Sequence, residues 1–203
     1  MIRNIIFDIG NVLAGFTWQE FFTELGYEGE RFDRLANATV KSPDWNEVDR
    51  GVLGEEELLE RFIKNDPPME TDIRRVFQDV GGMVRKLDYA VPWVESLKAA
   101  GYGCYYLSNF SHKVYVECAE ALEFLPYMDG GILSYRDKVI KPDTKIYELL
   151  LSRYGLKVSE CVFLDDTQKN LPPAEKLGMH TILFRDQKQA EGELEKLGIC
   201  VAV

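Results

Sequence analysis

The chain has 203 residues, of which 46% are hydrophobic, so it is long enough to fill one ordinary core, or one core with a modest inserted lobe. It carries 34 acidic and 24 basic residues, giving a formal charge of -10 without a long run of either sign. Because binding to a nucleic-acid backbone needs a basic face, this distribution excludes nucleic acid as an expected partner.

The first apolar run of the chain is too short for a signal peptide, and no later window contains the roughly eighteen apolar residues of a membrane span. We therefore expect a soluble, cytoplasmic protein with no membrane partner. The cysteines are widely spaced and form no Cys-x-x-Cys pair, so we expect reduced structural thiols rather than a zinc site or disulfides at Cys104, Cys118, Cys161 and Cys200.

Short β-rich apolar runs alternate with helical stretches along the chain. The runs are predicted as strands at 3–8, 103–108, 131–134, 161–165 and 180–184, and the helices between them at 92–100, 111–124, 144–154 and 172–177. This alternation predicts an α/β fold with a doubly wound parallel sheet. The apolar residues of the runs are nearly continuous, which predicts that helices cover both faces of the sheet.

The stretch between the first two predicted strands is far longer than one crossover connection needs. It is predicted to be helical throughout 17–86, with helices at 18–25, 31–38, 55–64 and 72–86. We therefore predict an α/β core formed by 1–15 and 88–203, and a small helical lobe at 16–87 inserted after the first strand.

Polar residues end the predicted strands, where ligands bind in open parallel sheets. Asp8 ends the first strand, ahead of Gly10 and Asn11. The remaining polar residues follow later strands at Ser108-Asn109, Lys141-Pro142-Asp143, Asp165-Asp166 and Asn170. We predict that these segments meet in one site.

The residue types in this site suit phosphoryl transfer to a carboxylate. That reaction needs a nucleophile, a bridging cation, further positive charge and donors that orient the phosphoryl oxygens. Asp8 can act as the nucleophile and can share an octahedral Mg²⁺ with Asp166, a backbone carbonyl and waters. Lys141 supplies positive charge, and Ser108 and Asn109 supply donors. Converging carboxylates would be costly without a cation, which independently favours a metal.

In order and spacing, these segments resemble the four motifs of the haloacid dehalogenase superfamily. The most specific element is Lys141-Pro142-Asp143-x-x-Ile146-Tyr147, and the lobe at 16–87 resembles the C1-type cap of that superfamily. The resemblance implies an HAD-like Rossmannoid core and a Mg²⁺-dependent phosphoric monoester hydrolase. The predicted catalytic residues are Asp8, Lys141 and Ser108. The predicted phosphate contacts are Ser108, Asn109, Lys141, Gly10 and Asn11, and the predicted metal ligands are Asp8, the Gly10 carbonyl and Asp166. Asp165 is expected either to act on the metal indirectly, for example through a water, or to hold Lys141.

The sequence departs from the superfamily pattern two residues after Asp8. Most superfamily phosphatases carry a second Asp there as general acid and base, whereas this chain has Gly10, which has no proton to give. The form Asp-x-Gly-Asn-Val is similar to a branch that includes bacterial α-D-glucose-1-phosphate phosphatases, and Asp49-Arg50-Gly51 is also similar to that branch.

The missing acid has a consequence for the substrate. Loss of a positioned acid costs about 10²–10⁴ in rate, and this loss matters least when the leaving group departs easily. We therefore expect a small phosphorylated metabolite such as a sugar 1-phosphate, with an unassigned group in the lobe or a bound water assisting the second step. Two alternatives stay open: a regulatory phosphate binder without turnover, favoured by Gly10, and a 2-haloacid dehalogenase, disfavoured by Asp165-Asp166.

Several further residues have a structural interpretation beside the functional one. Asn170 either contacts the metal shell or only caps a helix, and His112 and His180 are expected to be structural. The aromatic residues Trp18 and Trp45 are candidates for a sugar-binding platform, although packing is the simpler explanation. The oligomeric state and the physiological substrate are left open by the sequence.

Overall fold

The computed structural model describes residues 1–199. Its strands are β1 (Asn4–Phe7), β2 (Ala14–Phe16), β3 (Val84–Lys86), β4 (Gly103–Ser108), β5 (Gly130–Leu133), β6 (Cys161–Asp165) and β7 (His180–Leu183). Its helices are α1 (Trp18–Glu24), α2 (Gly29–Ala38), α3 (Trp45–Arg50), α4 (Glu55–Asn65), α5 (Glu70–Gln78), α6 (Ala90–Ala99), α7 (His112–Glu117), α8 (Ser134–Asp137), α9 (Thr144–Tyr154), α10 (Leu171–Leu177) and α11 (Gln187–Lys196).

The predicted parallel sheet is confirmed. Five strands pair in the order β5-β4-β1-β6-β7, and every pairing between them is parallel. The central strand β1 is in register with both neighbours, so that Phe7 lies opposite Tyr106 of β4 and Leu164 of β6. The residues that follow these three strands therefore emerge side by side at one edge of the sheet.

Both faces of the sheet are covered by helices, as the continuous apolar runs predict. Along β1, Phe7 packs into the cluster that contains Trp93 of α6, whereas Ile6 packs into the cluster that contains Tyr147 of α9. The rings of Phe7 and Trp93 meet edge to face, with centroids 5.1 Å apart. Burying one such apolar side chain contributes about 1.5–3 kcal/mol, so these contacts hold β1 rigidly beneath the site.

The long connection after β1 forms a helical insertion that contains α1 to α5. It begins and ends in an antiparallel ribbon, in which β2 pairs with β3. The prediction of one helix over 72–86 is wrong in its second half, because α5 ends at Gln78 and the chain then turns through Gly81 and Gly82. A side chain at Gly82 would place its Cβ 2.5 Å from the ring of Phe21, so this turn packs too closely for any residue but glycine.

Other elements also differ from the predictions. The helix expected at 111–124 is shorter, since α7 ends at Glu117 and a 3-10 turn, Ala119–Leu122, follows it. The sequence did not predict β2, β3, α3, α8 or α11. Among residues 1–199, no helix combines the length and apolar character that a membrane crossing requires.

The thiols that the structure describes are free and buried at Cys104, Cys118 and Cys161. Burial raises the pKa of Cys104 and Cys118 to about 12 and that of Cys161 to about 11. They therefore remain protonated and behave as small apolar side chains, in agreement with the prediction of structural thiols. Cys200 lies outside the described residues.

Candidate active site

The ends of β1 and β6 and the loop before α9 bring three charged side chains together. The ammonium group of Lys141 lies 2.9 Å from Asp8 Oδ1 and 2.6 Å from Asp165 Oδ2. The backbone N–H of Asp8 donates to the carbonyl of Leu164 over 2.8 Å, so Asp8 continues the strand pairing and its position is set by the sheet. The structure thus brings Asp8 next to residues that lie more than a hundred positions further along the sequence.

Burial and the neighbouring charges both shift the pKa values of these groups. Burial raises the pKa of Asp8 above its ordinary value, and the charge of Asp165 raises it further, while Lys141 opposes both effects. Burial works to lower the pKa of Lys141, but the charges of Asp8 and Asp165 outweigh it, so the lysine pKa is raised. Lys141 is therefore a permanent cation in this site.

Asp165 is completely buried and is held by several donors at once. Besides Lys141, it accepts hydrogen bonds from the side-chain amide of Asn170 at 3.0 Å and from the backbone N–H of Thr167 at 2.8 Å. These donors hold Asp165 in place beside Lys141 and Asn170.

The donor set fits a divalent cation. Asp8, Asp165 and Asp166 each offer a carboxylate oxygen, and these oxygens lie within 4.8 Å of one another. Beside them, the amide oxygen of Asn170 is buried without a hydrogen-bond partner among the described residues. Hard oxygen ligands of this kind suit Mg²⁺, and a water on the ion would give the Asn170 oxygen a donor. Three carboxylates against one lysine also leave negative charge for a cation to neutralise.

Asn11 and Asn109 support other members of the site. Asn11 has a left-handed backbone conformation, with φ of 56°, and its amide donates to Asp166 over 2.9 Å. The amide of Asn109 contacts the backbone of Lys141 twice, accepting from its N–H at 2.7 Å and donating to its carbonyl at 3.1 Å. Both side chains therefore hold charged residues of the site in place, and the phosphate contacts expected of them from the sequence stay a prediction.

A cavity of about 600 Å³ opens above these residues. Its floor includes Asp8, Gly10, Ser108, Lys141 and Asp166, and the helical insertion contributes Lys41, Trp45, Asn46 and Asp49. Of the two predicted aromatic platforms, Trp45 lines the cavity. Trp18 does not, because it packs against Phe22 and stacks on Phe32 within the insertion.

The two histidines lie outside this cavity lining. His112, at the start of α7, packs against the ring of Tyr135 with centroids 5.3 Å apart. His180 is exposed at the start of the edge strand β7. These positions agree with the structural roles expected from the sequence.

Asp49 is a charged cavity residue whose chemical role was not predicted from the sequence. It lies near the end of α3, a helix that was not predicted, and it lines the same cavity as Asp8. Burial raises the pKa of Asp49 to about 7, and the charge of Asp8 raises it further while that of Lys141 opposes it. The sequence feature that could have indicated a role for Asp49 is the Asp49-Arg50-Gly51 segment, which was noted only for its similarity to the glucose-1-phosphate phosphatase branch.

The fold agrees with the comparisons with known proteins. Residues 2–178 match the haloacid dehalogenase-like hydrolase family, and the chain belongs to this family of enzymes. Over 196 residues it is 24% identical to the sesquiterpene phosphatase astK of Aspergillus oryzae, covering 96% of each chain.

Two further proteins are similar to the chain, one over part of the sequence and one in fold. The chain is 45% identical over 75 residues to bifunctional epoxide hydrolase 2 of Sus scrofa, a match that covers 37% of this chain but only 14% of that protein. The structure of the HAD family enzyme BT-2542 from Bacteroides thetaiotaomicron, in complex with magnesium and inorganic phosphate, superposes with a TM-score of 0.68 at 19% identity. That alignment covers 94% of this chain and 99% of the other, so the two share a fold.

Proposed function

We propose that this hydrolase is a Mg²⁺-dependent phosphatase in which Asp8 forms a transient aspartyl-phosphate. The observation that carries the proposal is the meeting of Asp8, Lys141 and Asp165 within 2.6–2.9 Å contacts at the carboxyl edge of the sheet. An anionic nucleophile beside a buried cation and a cluster of metal-binding oxygens is the arrangement that phosphoryl transfer to a carboxylate requires. The magnesium and phosphate in the BT-2542 structure support the same assignment.

The reaction proceeds in two displacements at phosphorus. In the first, a carboxylate oxygen of Asp8 forms a bond to phosphorus while the ester oxygen leaves with the alcohol. In the second, water attacks phosphorus and the bond to Asp8 breaks, releasing phosphate. Lys141 stabilises the charge on the transferring group, and the Ser108 hydroxyl orients its oxygens. Asp8, Asp166 and the Gly10 carbonyl would hold Mg²⁺, which would neutralise charge on the phosphoryl oxygens.

The inserted helices are proposed to act as a cap over this site. We assign residues 16–87 to the cap, and 1–15 and 88–203 to the α/β core. The β2–β3 ribbon supports this boundary, since it is the narrow connection through which the insertion leaves the core and returns to it. By supplying part of the cavity wall, the cap excludes water and selects the leaving group.

A small phosphorylated metabolite, such as a sugar 1-phosphate, is the proposed substrate class. A cavity of about 600 Å³ accommodates a monosaccharide phosphate. Trp45 lines this cavity and is the proposed platform for a sugar ring. Gly10, two residues after Asp8, provides no proton donor. These features also match the resemblance to the α-D-glucose-1-phosphate phosphatase branch.

Release of inorganic phosphate from a substrate panel tests this proposal. Wild-type protein should hydrolyse sugar 1-phosphates faster than sugar 6-phosphates, and chelation of Mg²⁺ or the substitution Asp8→Asn should abolish turnover. Faster hydrolysis of sugar 6-phosphates would overturn the substrate class. Phosphate binding without any release would favour the regulatory binder that Gly10 suggests, and metal-independent release of halide from a 2-haloacid would favour a dehalogenase.

A further inference from the structure

A carboxylate from the helical insertion reaches the proposed phosphoryl-transfer site. Asp49 lines the same cavity as Asp8 and Lys141, and it is close enough to feel the charge of both. Its backbone carbonyl accepts a hydrogen bond from Ser134, but its carboxylate has no such partner within residues 1–199. The carboxylate is therefore free to meet a ligand in the cavity.

The backbone of Asp49 is fixed by a buried hydroxyl group. Ser134 Oγ donates to the Asp49 carbonyl over 2.6 Å and accepts from the N–H of Phe110 over 2.9 Å. Ser134 is completely buried, and Phe110 follows the Ser108-Asn109 segment directly. One hydroxyl thus ties the insertion to the loop that carries the proposed phosphate-binding serine.

A glycine lets the insertion approach the core closely at the next turn. Gly51 ends α3 in a left-handed conformation, with φ of 65°. A Cβ at this position would lie 2.9 Å from the Cβ of Tyr135 in α8. Lys138 closes the contact by donating to the Gly51 carbonyl. The end of α3 is therefore held against the core, which limits how far Asp49 moves.

We infer that Asp49 is the general acid and base of the reaction, taking the role that Gly10 has no side chain to fill. This inference rests on the proposed phosphatase function. In the first step the Asp49 carboxyl gives its proton to the ester oxygen as the bond from that oxygen to phosphorus breaks and the Asp8–phosphorus bond forms. In the second step the Asp49 carboxylate takes a proton from water as the water oxygen bonds to phosphorus and the Asp8–phosphorus bond breaks. Asp8 and protonated Asp49 are then regenerated.

The electrostatic surroundings support this role. Burial in the cavity raises the pKa of Asp49, which favours the protonated form that the first step needs. The other charged groups that line the cavity are Asp8, Lys41, Lys141, Asp166 and Lys169. With a proton supplied by Asp49, catalysis does not require an easily departing leaving group, so the proposed preference for sugar 1-phosphates then rests on the shape of the cavity and on Trp45.

The test compares wild type, Asp49→Asn and Glu47→Gln on aryl phosphates of graded leaving ability, from p-nitrophenyl to phenyl to methoxyphenyl phosphate. Glu47 is the matched control, since it is a carboxylate of the same helix that pairs with Arg50 and does not line the cavity. Thermal unfolding and product inhibition by inorganic phosphate establish that each variant keeps its fold and its site.

Asp49→Asn should lose about 10²–10⁴ in kcat on phenyl phosphate, whose leaving group needs a proton. On p-nitrophenyl phosphate the same variant should give a burst of nitrophenol followed by slow turnover, because the first step needs no acid whereas the second has lost its base. Glu47→Gln should behave as wild type.

Equal losses across the aryl series without a burst, or wild-type rates in Asp49→Asn, would overturn the role of Asp49 alone. No phosphate release by the wild type with any of these esters and Mg²⁺ would overturn the proposed function, and this inference with it.

Discussion

The ammonium group of Lys141 donates a hydrogen bond to Asp165 over 2.6 Å, at a point where both side chains are completely buried. Asp8 lies 2.9 Å away on the same ammonium group. The lysine therefore offsets the charge of two carboxylates, Asp165, which is completely buried, and Asp8, which is largely buried at the cavity floor. Its removal should affect the stability of the fold as well as activity.

We predict that Lys141→Met lowers the free energy of unfolding by about 3–5 kcal/mol in metal-free buffer, because it leaves two buried carboxylates without a cation. Urea denaturation at neutral pH measures the change. The control is Lys145→Met, which removes an exposed lysine from the start of α9. Equal free energies of unfolding for the two variants would contradict the structural role of Lys141.

Gly51→Ala should weaken the contact between α3 and α8. The added Cβ collides with Tyr135 and also has to adopt a left-handed backbone, so we expect a loss of about 1–3 kcal/mol in stability. Gly29→Ala separates the two effects, since Gly29 has a φ of 54° but nothing within 4 Å of a Cβ. Calorimetric unfolding should show a larger loss for Gly51→Ala, and a loss no larger than that of Gly29→Ala would disprove the close contact.

The raised pKa of Asp49 predicts a pH-dependent stability difference. The folded protein keeps this proton up to about pH 7, whereas the unfolded chain releases it near the ordinary pKa of 3.8. The contribution of Asp49 is therefore fully present below pH 3.8 and is lost as the pH rises through about 7. In chelator, wild type should lose stability relative to Asp49→Asn between these values, as measured by urea denaturation. A difference that does not change with pH would show that the carboxyl is not perturbed.

The buried thiols predict low reactivity. With pKa values of about 11 to 12, Cys104, Cys118 and Cys161 carry almost no thiolate at pH 8. In a Cys200→Ser variant, only these three thiols can react with Ellman's reagent. In the native state it should react with Ellman's reagent far more slowly than in urea, and rapid native labelling would contradict their burial.

The sequence predicts the core of this fold well, for a physical reason. Strands buried on both faces must be apolar throughout, and parallel strands must end at one edge, so Asp8, Ser108 and Asp165 can be placed together from their position after apolar runs alone. The pattern of apolar strands does not by itself identify Lys141, because a lysine before a proline is usually an ordinary surface residue. The prediction of Lys141 depends on the superfamily resemblance.

The insertion is predicted less well. The helix α3 has six residues, too few for a clear apolar period, and its place depends on tertiary contacts with α8 rather than on local preference. A chemical role for Asp49 is consequently not predicted from the sequence. Trp18 is a candidate platform in the sequence, but it stacks on Phe32, in line with the packing role that was the simpler explanation. The dual contacts of Asn109 with Lys141 are equally invisible in sequence, since they join segments about thirty residues apart.

The most direct measurement is identification of the residue that carries the phosphoryl group. Wild-type protein is mixed with Mg²⁺ and p-nitrophenyl phosphate, quenched in acid and reduced with borohydride, which converts an acyl phosphate to an alcohol, before peptide mass spectrometry. We predict that the reduced residue is Asp8, and that Asp8→Asn shows neither this product nor turnover. A trapped phosphoryl group on another residue, or turnover by Asp8→Asn, would contradict the proposed mechanism.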